Sequence, residues 1–199
     1  IQSLGALPFD VQAIDCDFAI ADGHKWLLGP EGLGVFYCGQ AVRDRLKLTQ
    51  FGWHMVEDMG NYDRQDWQPA TSARRFEAGS PNTLAQHALS ASLELLLDTT
   101  LDTVAGALQE RVDFLLSSLG SRPGVTILSP QEPTRRAGIV TFAIAGVDQR
   151  QLFESLRDQG VVCAQRGGGI RWSPHFYTPR SVLERALSIL DAAVEQLRS

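Results

Sequence analysis

Two rhythms of apolar and polar positions run along this chain. In the first part, the short apolar run Asp17–Ala21 predicts a strand and Gly34–Cys38 predicts a second. Between them lie a polar turn holding His24 and Lys25 and a Gly-Pro-Glu-Gly loop. Short runs bounded by Gly and Pro read as βα or ββ units. Asp10–Asp15 predicts one helical turn, and Ala41–Leu48 has helix-like composition. Thr49–Ser80 has no clear period and is aromatic: Phe51, Trp53, Tyr62 and Trp67 are interrupted by Gly52, Gly60 and Pro69. An irregular stretch this long is uncommon inside a compact domain and usually serves a site or is disordered. Its aromatic content argues against disorder.

From Pro81-Asn82 the period lengthens to that of a helix. Leu84, Ala88, Ala91 and Leu95 fall on one side at intervals of three and four. A second helix is predicted from Leu101 to Leu119, ended by Gly120 with Pro123-Gly124 behind it. That Pro-Gly pair marks the domain boundary, giving domains of 1–120 and 121–199. The remainder is a compact α/β pattern. Val125–Leu128, Gly138–Ala145, Val161–Gln165 and Ile170–Ser173 predict strands, and Asp148–Gln159 a helix closed by Gly160. Gly167-Gly168-Gly169 joins the last two strands. Thr178-Pro179 opens a final helix as N-cap and first-turn proline. Val182, Leu183, Ala186, Leu187, Leu190 and Val194 form its apolar face.

Composition narrows the class. The 199 residues suffice for a substantial core, and 44% hydrophobic with 21% charged residues is ordinary for a globular protein. A formal charge of -5 gives no footing for nucleic acid or an anionic membrane. No apolar run reaches the length of a membrane span. Cys16, Cys38 and Cys163 are odd in number, far apart and set in apolar runs. They fit reduced core residues of a cytoplasmic protein and have no metal-ligand spacing.

The lysines change the picture most. The chain has 18 Lys and Arg residues, of which only Lys25 and Lys47 are lysine. Where an amine must shed its proton and attack a carbonyl, arginine cannot serve, because guanidinium stays protonated. Lys25, at the end of an apolar strand, is therefore a candidate Schiff-base lysine.

Gly23-His24-Lys25-Trp26 followed by Gly29-Pro30-Glu31-Gly32-Leu33-Gly34 resembles the lysine segment of class V aminotransferases, a family of pyridoxal-phosphate enzymes. Three further stretches resemble family blocks in the family's order. They are Gln2-Ser3-Leu4-Gly5, Arg75-Phe76-Glu77-Ala78-Gly79-Ser80-Pro81-Asn82 and Arg171-Trp172-Ser173-Pro174-His175-Phe176-Tyr177. The resemblance implies an α/β fold, the C-terminal part of a fold-type I large domain followed by a small α+β domain. It covers only the C-terminal half of a family member. The segment with the aspartate that partners the cofactor's pyridine nitrogen would lie before Ile1.

The resemblance also implies roles. Lys25 forms the Schiff base with pyridoxal 5'-phosphate and moves the proton at the substrate's α carbon, which calls for burial and nearby positive charge. His24 matches the phosphate-contacting histidine, and Gln2 the glutamine beside the cofactor's phenolic oxygen. Gly79 and Ser80 precede a helix whose first N–H groups suit an anion. In the family this block reaches the partner subunit's phosphate, so a homodimer with shared active sites follows. The aromatic loop 49–80 then reads as an active-site and dimer-contact loop. Arg171 matches the arginine that grips an amino-acid carboxylate, with Arg166 as a second candidate. The role of Arg75 stays open.

Two departures bear on the reaction. Asp22 stands where desulfurases carry Ser or Thr, and an ionised carboxylate cannot donate to a phosphate; it is expected to cap the loop or pair with an arginine. Desulfurases and selenocysteine lyases also place a nucleophilic cysteine between the two arginine-bearing strands, where this chain has only Gly167-Gly168-Gly169-Ile170. Cys163 lies before that turn and reads as a small buried hydrophobe. The leading expectation is thus an enzyme acting on an amino acid by epimerisation, transamination or a lyase step. The alternatives are a cysteine desulfurase or selenocysteine lyase, and a catalytically silent fragment that keeps dimerisation and scaffold surfaces.

Overall fold

The computed structural model describes residues 1–198, which pack as two units, Ile1–Asp98 and Thr99 onward. In the first, β1 (Phe18–Asp22) and β2 (Gly34–Cys38) form an antiparallel pair with Ala19 opposite Tyr37 and Asp22 opposite Gly34. The first strand thus runs one residue further than the apolar run suggested, which places Asp22 in the ladder. The expected helix at 41–48 shrinks to one turn, α1 (Gln40–Arg43), with no buried residue to hold a longer one. The stretch 49–80 is irregular as expected. It contains two single 3-10 turns, Trp53–Met55 and Ala73–Phe76, and a bridge between Val56 and Pro69.

Helix α2 (Thr83–Thr99) follows, and its orientation differs from the expectation. Ala85, Leu89 and Leu96 are buried, whereas Leu84, Ala88, Ala91 and Leu95 face outward. Two apolar stripes run along this helix one position apart, and the unit has partners for only one. Ser92 on the inner side donates to Leu28 O at 2.9 Å and ties the helix to the lysine turn.

The second unit has an antiparallel sheet in the order β3-β4-β6-β5, formed by Val125–Ile127, Val140–Ile144, Gly169–Trp172 and Ala164–Arg166. Three helices, α3 (Leu101–Gly120), α4 (Gln149–Asp158) and α5 (Arg180–Arg198), contribute to one core with it. Along β4 the burial alternates, so Val140, Phe142 and Ile144 meet the helices with Ile170 and Trp172 of β6. Phe142 and Trp172 pack edge to face at 5.3 Å. The expected boundary at 120/121 falls inside this unit, because Val112, Leu115 and Leu119 of α3 belong to its core. Asp148 caps α4 by accepting from the N–H groups of Arg150 and Gln151. Thr178, expected as the cap of α5, accepts from His175 N through its hydroxyl at 2.9 Å.

Candidate functional site

The lysine turn is built by backbone closure and two apolar anchors. Gly23 N donates to Leu33 O at 2.9 Å, and Gly29 N donates back to Gly23 O at 2.7 Å. A Cβ on Gly23 would come within 2.8 Å of Leu33 O, so this approach of two chain segments requires glycine. Trp26 and Leu27 are buried directly after Lys25. Trp26 Nε1 donates to Gln2 Oε1 at 3.3 Å, so Gln2 and Lys25 sit on one packed element. His24 is exposed beside them. Burying the residues on the C-terminal side of Lys25 leaves its amine within reach of a ligand.

Nζ of Lys25 is engaged by Asp22 Oδ2 at 2.9 Å, with side chains 34% and 37% exposed respectively. The ammonium holds the Asp22 carboxyl below the usual aspartate range, helped by the charges of Lys25, His24 and the amino group of Ile1. Sequence reasoning expected a cap or an arginine as its partner; the partner is the candidate lysine itself. The signal was the spacing, since positions three apart in a tight turn meet.

Ser80 and Gly79 lie just before α2. Asn82 caps the helix by accepting from Ala85 N at 3.1 Å, so the helix does not use the exposed hydroxyl of Ser80. Behind this block, Gly52 presses against Ala78, where a Cβ would stand 1.9 Å from the carbonyl oxygen. Buried in the same contact is His54, missed in the sequence, whose Nδ1 lies 3.5 Å from Glu77 Oε2. Arg75 donates to Asp44 Oδ1 at 2.8 Å, and Arg74 to Val56 O and Glu57 O. Both arginines hold the irregular segment in place. Gly79, Pro81 and Asn82 line a cavity of about 310 Å³ with Leu33, Gly34 and Phe36.

The second unit brings its two candidate arginines onto one face. Arg171 of β6 is opposite Thr141 on one side and Ala164 on the other. Arg166, opposite Gly169, shares that face by the two-residue period of a strand. It is the face turned away from Ile170 and Trp172, hence away from the helices. Arg171 Nε is buried and makes no hydrogen bond among the described residues. A buried guanidinium donor without an acceptor is costly unless an anion takes it up. The β5–β6 turn is closed by Gly167 and Gly168 at φ 59° and 83°, conformations that suit glycine. Cys163 precedes it, packed against the core, and burial pushes its thiol up. All three cysteines are free, and no cluster of metal-ligating side chains occurs among the described residues.

The aminotransferase class-V profile matches residues 1–174. The chain belongs to the class V aminotransferase family. A probable cysteine desulfurase from Halalkalibacterium halodurans is 32% identical over 82% of this chain and 40% of its own length. A cysteine desulfurase from Escherichia coli is 36% identical over 68% of this chain and 32% of its own. Among solved structures, the cystine C-S lyase C-DES in complex with its reaction product, cysteine persulfide, superposes with a TM-score of 0.85. It is 26% identical over 95% of this chain and 50% of that one. The apo cysteine desulfurase of Thermococcus onnurineus has a TM-score of 0.86 at 23% identity and shows the fold. The fold is fold-type I, and the chain spans 32% to 51% of the length of these proteins.

Pyridoxal phosphate is the family's cofactor, and C-DES has been captured with a glycine covalently linked to it. The residues here fit that group: a reachable amine on a rigid turn, an exposed histidine donor beside it, and a helix start with a hydroxyl to spare. One residue fits poorly. The Asp22 carboxylate already occupies the amine and brings no donor to a phosphate.

Proposed function

We propose that this chain is the part of a pyridoxal-phosphate enzyme that supplies the reacting lysine and the carboxylate-binding arginine, and that it serves an amino-acid lyase. The expectation of epimerisation or transamination finds no support in the relatives named above, which are cysteine desulfurases and a cystine lyase. The observation that carries the reading is the β5–β6 turn. A persulfide-forming cysteine needs exposure and thiolate character, and the turn offers two left-handed glycines in place of a cysteine loop. Cys163, with its raised thiol, is poorly suited to take up sulfur. Carbon–sulfur cleavage that leaves sulfur on the departing fragment needs no protein cysteine.

Bound pyridoxal phosphate supplies the electron sink for the bond broken at the α carbon. The chain's own residues do the rest. Lys25 would hold the cofactor's aldehyde end and would take up the proton released at the substrate's α carbon. His24, with the N–H groups and hydroxyl of Gly79 and Ser80, binds phosphate, while Gln2 contacts the ring oxygen. Arg171, seconded by Arg166, grips the substrate carboxylate through its planar fork. Ser80 serves the neighbouring subunit, so the working unit is a homodimer.

The deciding experiment is an absorbance spectrum of the purified chain with added pyridoxal phosphate, beside Lys25→Ala. A new band near the visible edge that borohydride fixes onto Lys25 supports the reading. Sulfur release from cystine that survives Cys163→Ser supports the lyase assignment, whereas its loss favours a desulfurase. A second reading, a silent scaffold, is favoured by the bare apolar faces of the first unit. It leads if a folded chain shows no band.

A further inference from the structure

We propose that Asp22 is a resident counter-ion that engages the Lys25 amine and so restrains its attack on a carbonyl. This is a positioning role: the carboxylate acts only through the amine it contacts. The inference rests on Lys25 being the reacting amine.

The pair is held by the fold. Asp22 closes β1 in register with Gly34, so its backbone is fixed by the ladder. Lys25 follows three residues later on a turn fastened by the Gly23–Leu33 and Gly29–Gly23 hydrogen bonds and by the buried Trp26 and Leu27. Neither residue can retreat far along the backbone, and the side chains meet at 2.9 Å. The other charges facing Asp22 are His24 and the amino group of Ile1, both positive or neutral. No second carboxylate competes for the lysine among the described pairs.

The amine adds to a carbonyl carbon only when its lone pair is free. In contact with Asp22 at 2.9 Å it is engaged by the carboxylate instead, so the pair must open before Lys25 can react. To react, Lys25 must give a proton to solvent and leave the carboxylate. Asp22 thereby makes the first step slower at neutral pH than the turn alone would allow. The cost is moderate because the pair is one-third exposed and screened by water.

The test uses competitive acylation of the whole chain by trace acetic anhydride, read by peptide mass spectrometry. Lys47, the other lysine, is the internal reference. At pH 7.5, Asp22→Asn and Asp22→Ser should raise labelling of Lys25 relative to Lys47 about two- to fivefold, the range expected for a partly exposed ion pair. Asp22→Glu, which keeps the charge, should return the ratio towards that of the unsubstituted chain. In strong alkali the proteins should converge. An unchanged or lowered ratio in both neutral variants overturns the proposal. Borohydride trapping of pyridoxal phosphate on the same proteins separates the two readings. A raised acylation ratio with no trapping in any protein upholds the counter-ion and removes the cofactor reading. Trapping with an unchanged ratio does the reverse.

Discussion

The second unit closes a core of its own; the first does not. Phe142, Leu152, Leu156, Ile170 and Leu190 are fully buried between one sheet face and three helices. In the first unit Phe18, Ile20 and Phe36 share the outer face of a two-stranded sheet, with Ile20 63% exposed, and Leu84 on α2 is 81% exposed. A lone pair of strands is marginal without further strands or helices on its apolar face. The contrast separates stability from chemistry. The second unit contributes a finished scaffold with arginines on its open face, while the candidate lysine sits on the less covered unit.

The largest effect should therefore come from the finished core. Phe142→Ala removes a ring packed on Trp172 and should cost about 3–5 kcal/mol, whereas Phe36→Ala should cost less than about 1 kcal/mol. Urea unfolding followed by tryptophan fluorescence measures both. Equal losses would break the comparison.

Next comes a place where the first unit is as tight as the second. A Cβ on Gly52 would stand 1.9 Å from Ala78 O, and backbone cannot yield as a flexible side chain does. Gly52→Ala should cost about 1–3 kcal/mol and loosen the Gly79–Ser80 block, seen as faster amide exchange at Ala78–Ser80. Unchanged exchange would mean that loop 52–55 does not brace this block. A smaller loss is expected in the second unit at Arg122, which makes a two-pronged contact with Asp191 at 2.7 and 2.9 Å. Asp191→Ala should cost about 1 kcal/mol or less, because the pair is partly exposed, and raised salt should shrink the difference.

These contrasts also show what the sequence could say. Helix α4 with its end at Gly160, strand β2 and strand β4 were legible because each depends on residues a few positions apart. The glycine turn before Arg171 was legible for the same reason. The buried side of α2 was not, since Leu84–Leu95 and Ala85–Leu96 are both apolar and the choice rests on what the rest of the unit can cover. The place of α3 was missed because Pro123-Gly124 marks a turn, whereas its partners lie on β4, β6 and α5. His54 and Gly52 depend on contacts that no local pattern announces. Asp22 was noticed as a departure, yet its partner was misjudged, because the strand extends one residue further than its apolar run.

The smallest effect is the one that most sharpens the comparison, because it isolates the pair on the less covered unit. Lys25 holds the Asp22 carboxyl below the ordinary aspartate value of about 3.9. A carboxylate with a lowered folded-state value adds stability above the unfolded value and loses it as pH falls through the folded one. The pair should thus be intact at neutral pH, persist through pH 4 and dissolve only in stronger acid. Carboxyl carbon NMR should place the Asp22 titration below the ordinary aspartate value, and Lys25→Ala should raise it towards that value. If Asp22 titrates unchanged in Lys25→Ala, the lysine is not what holds it. Since both side chains are largely solvated, the gain in global stability should be slight, and the pair should register in Lys25 reactivity well before it registers in unfolding.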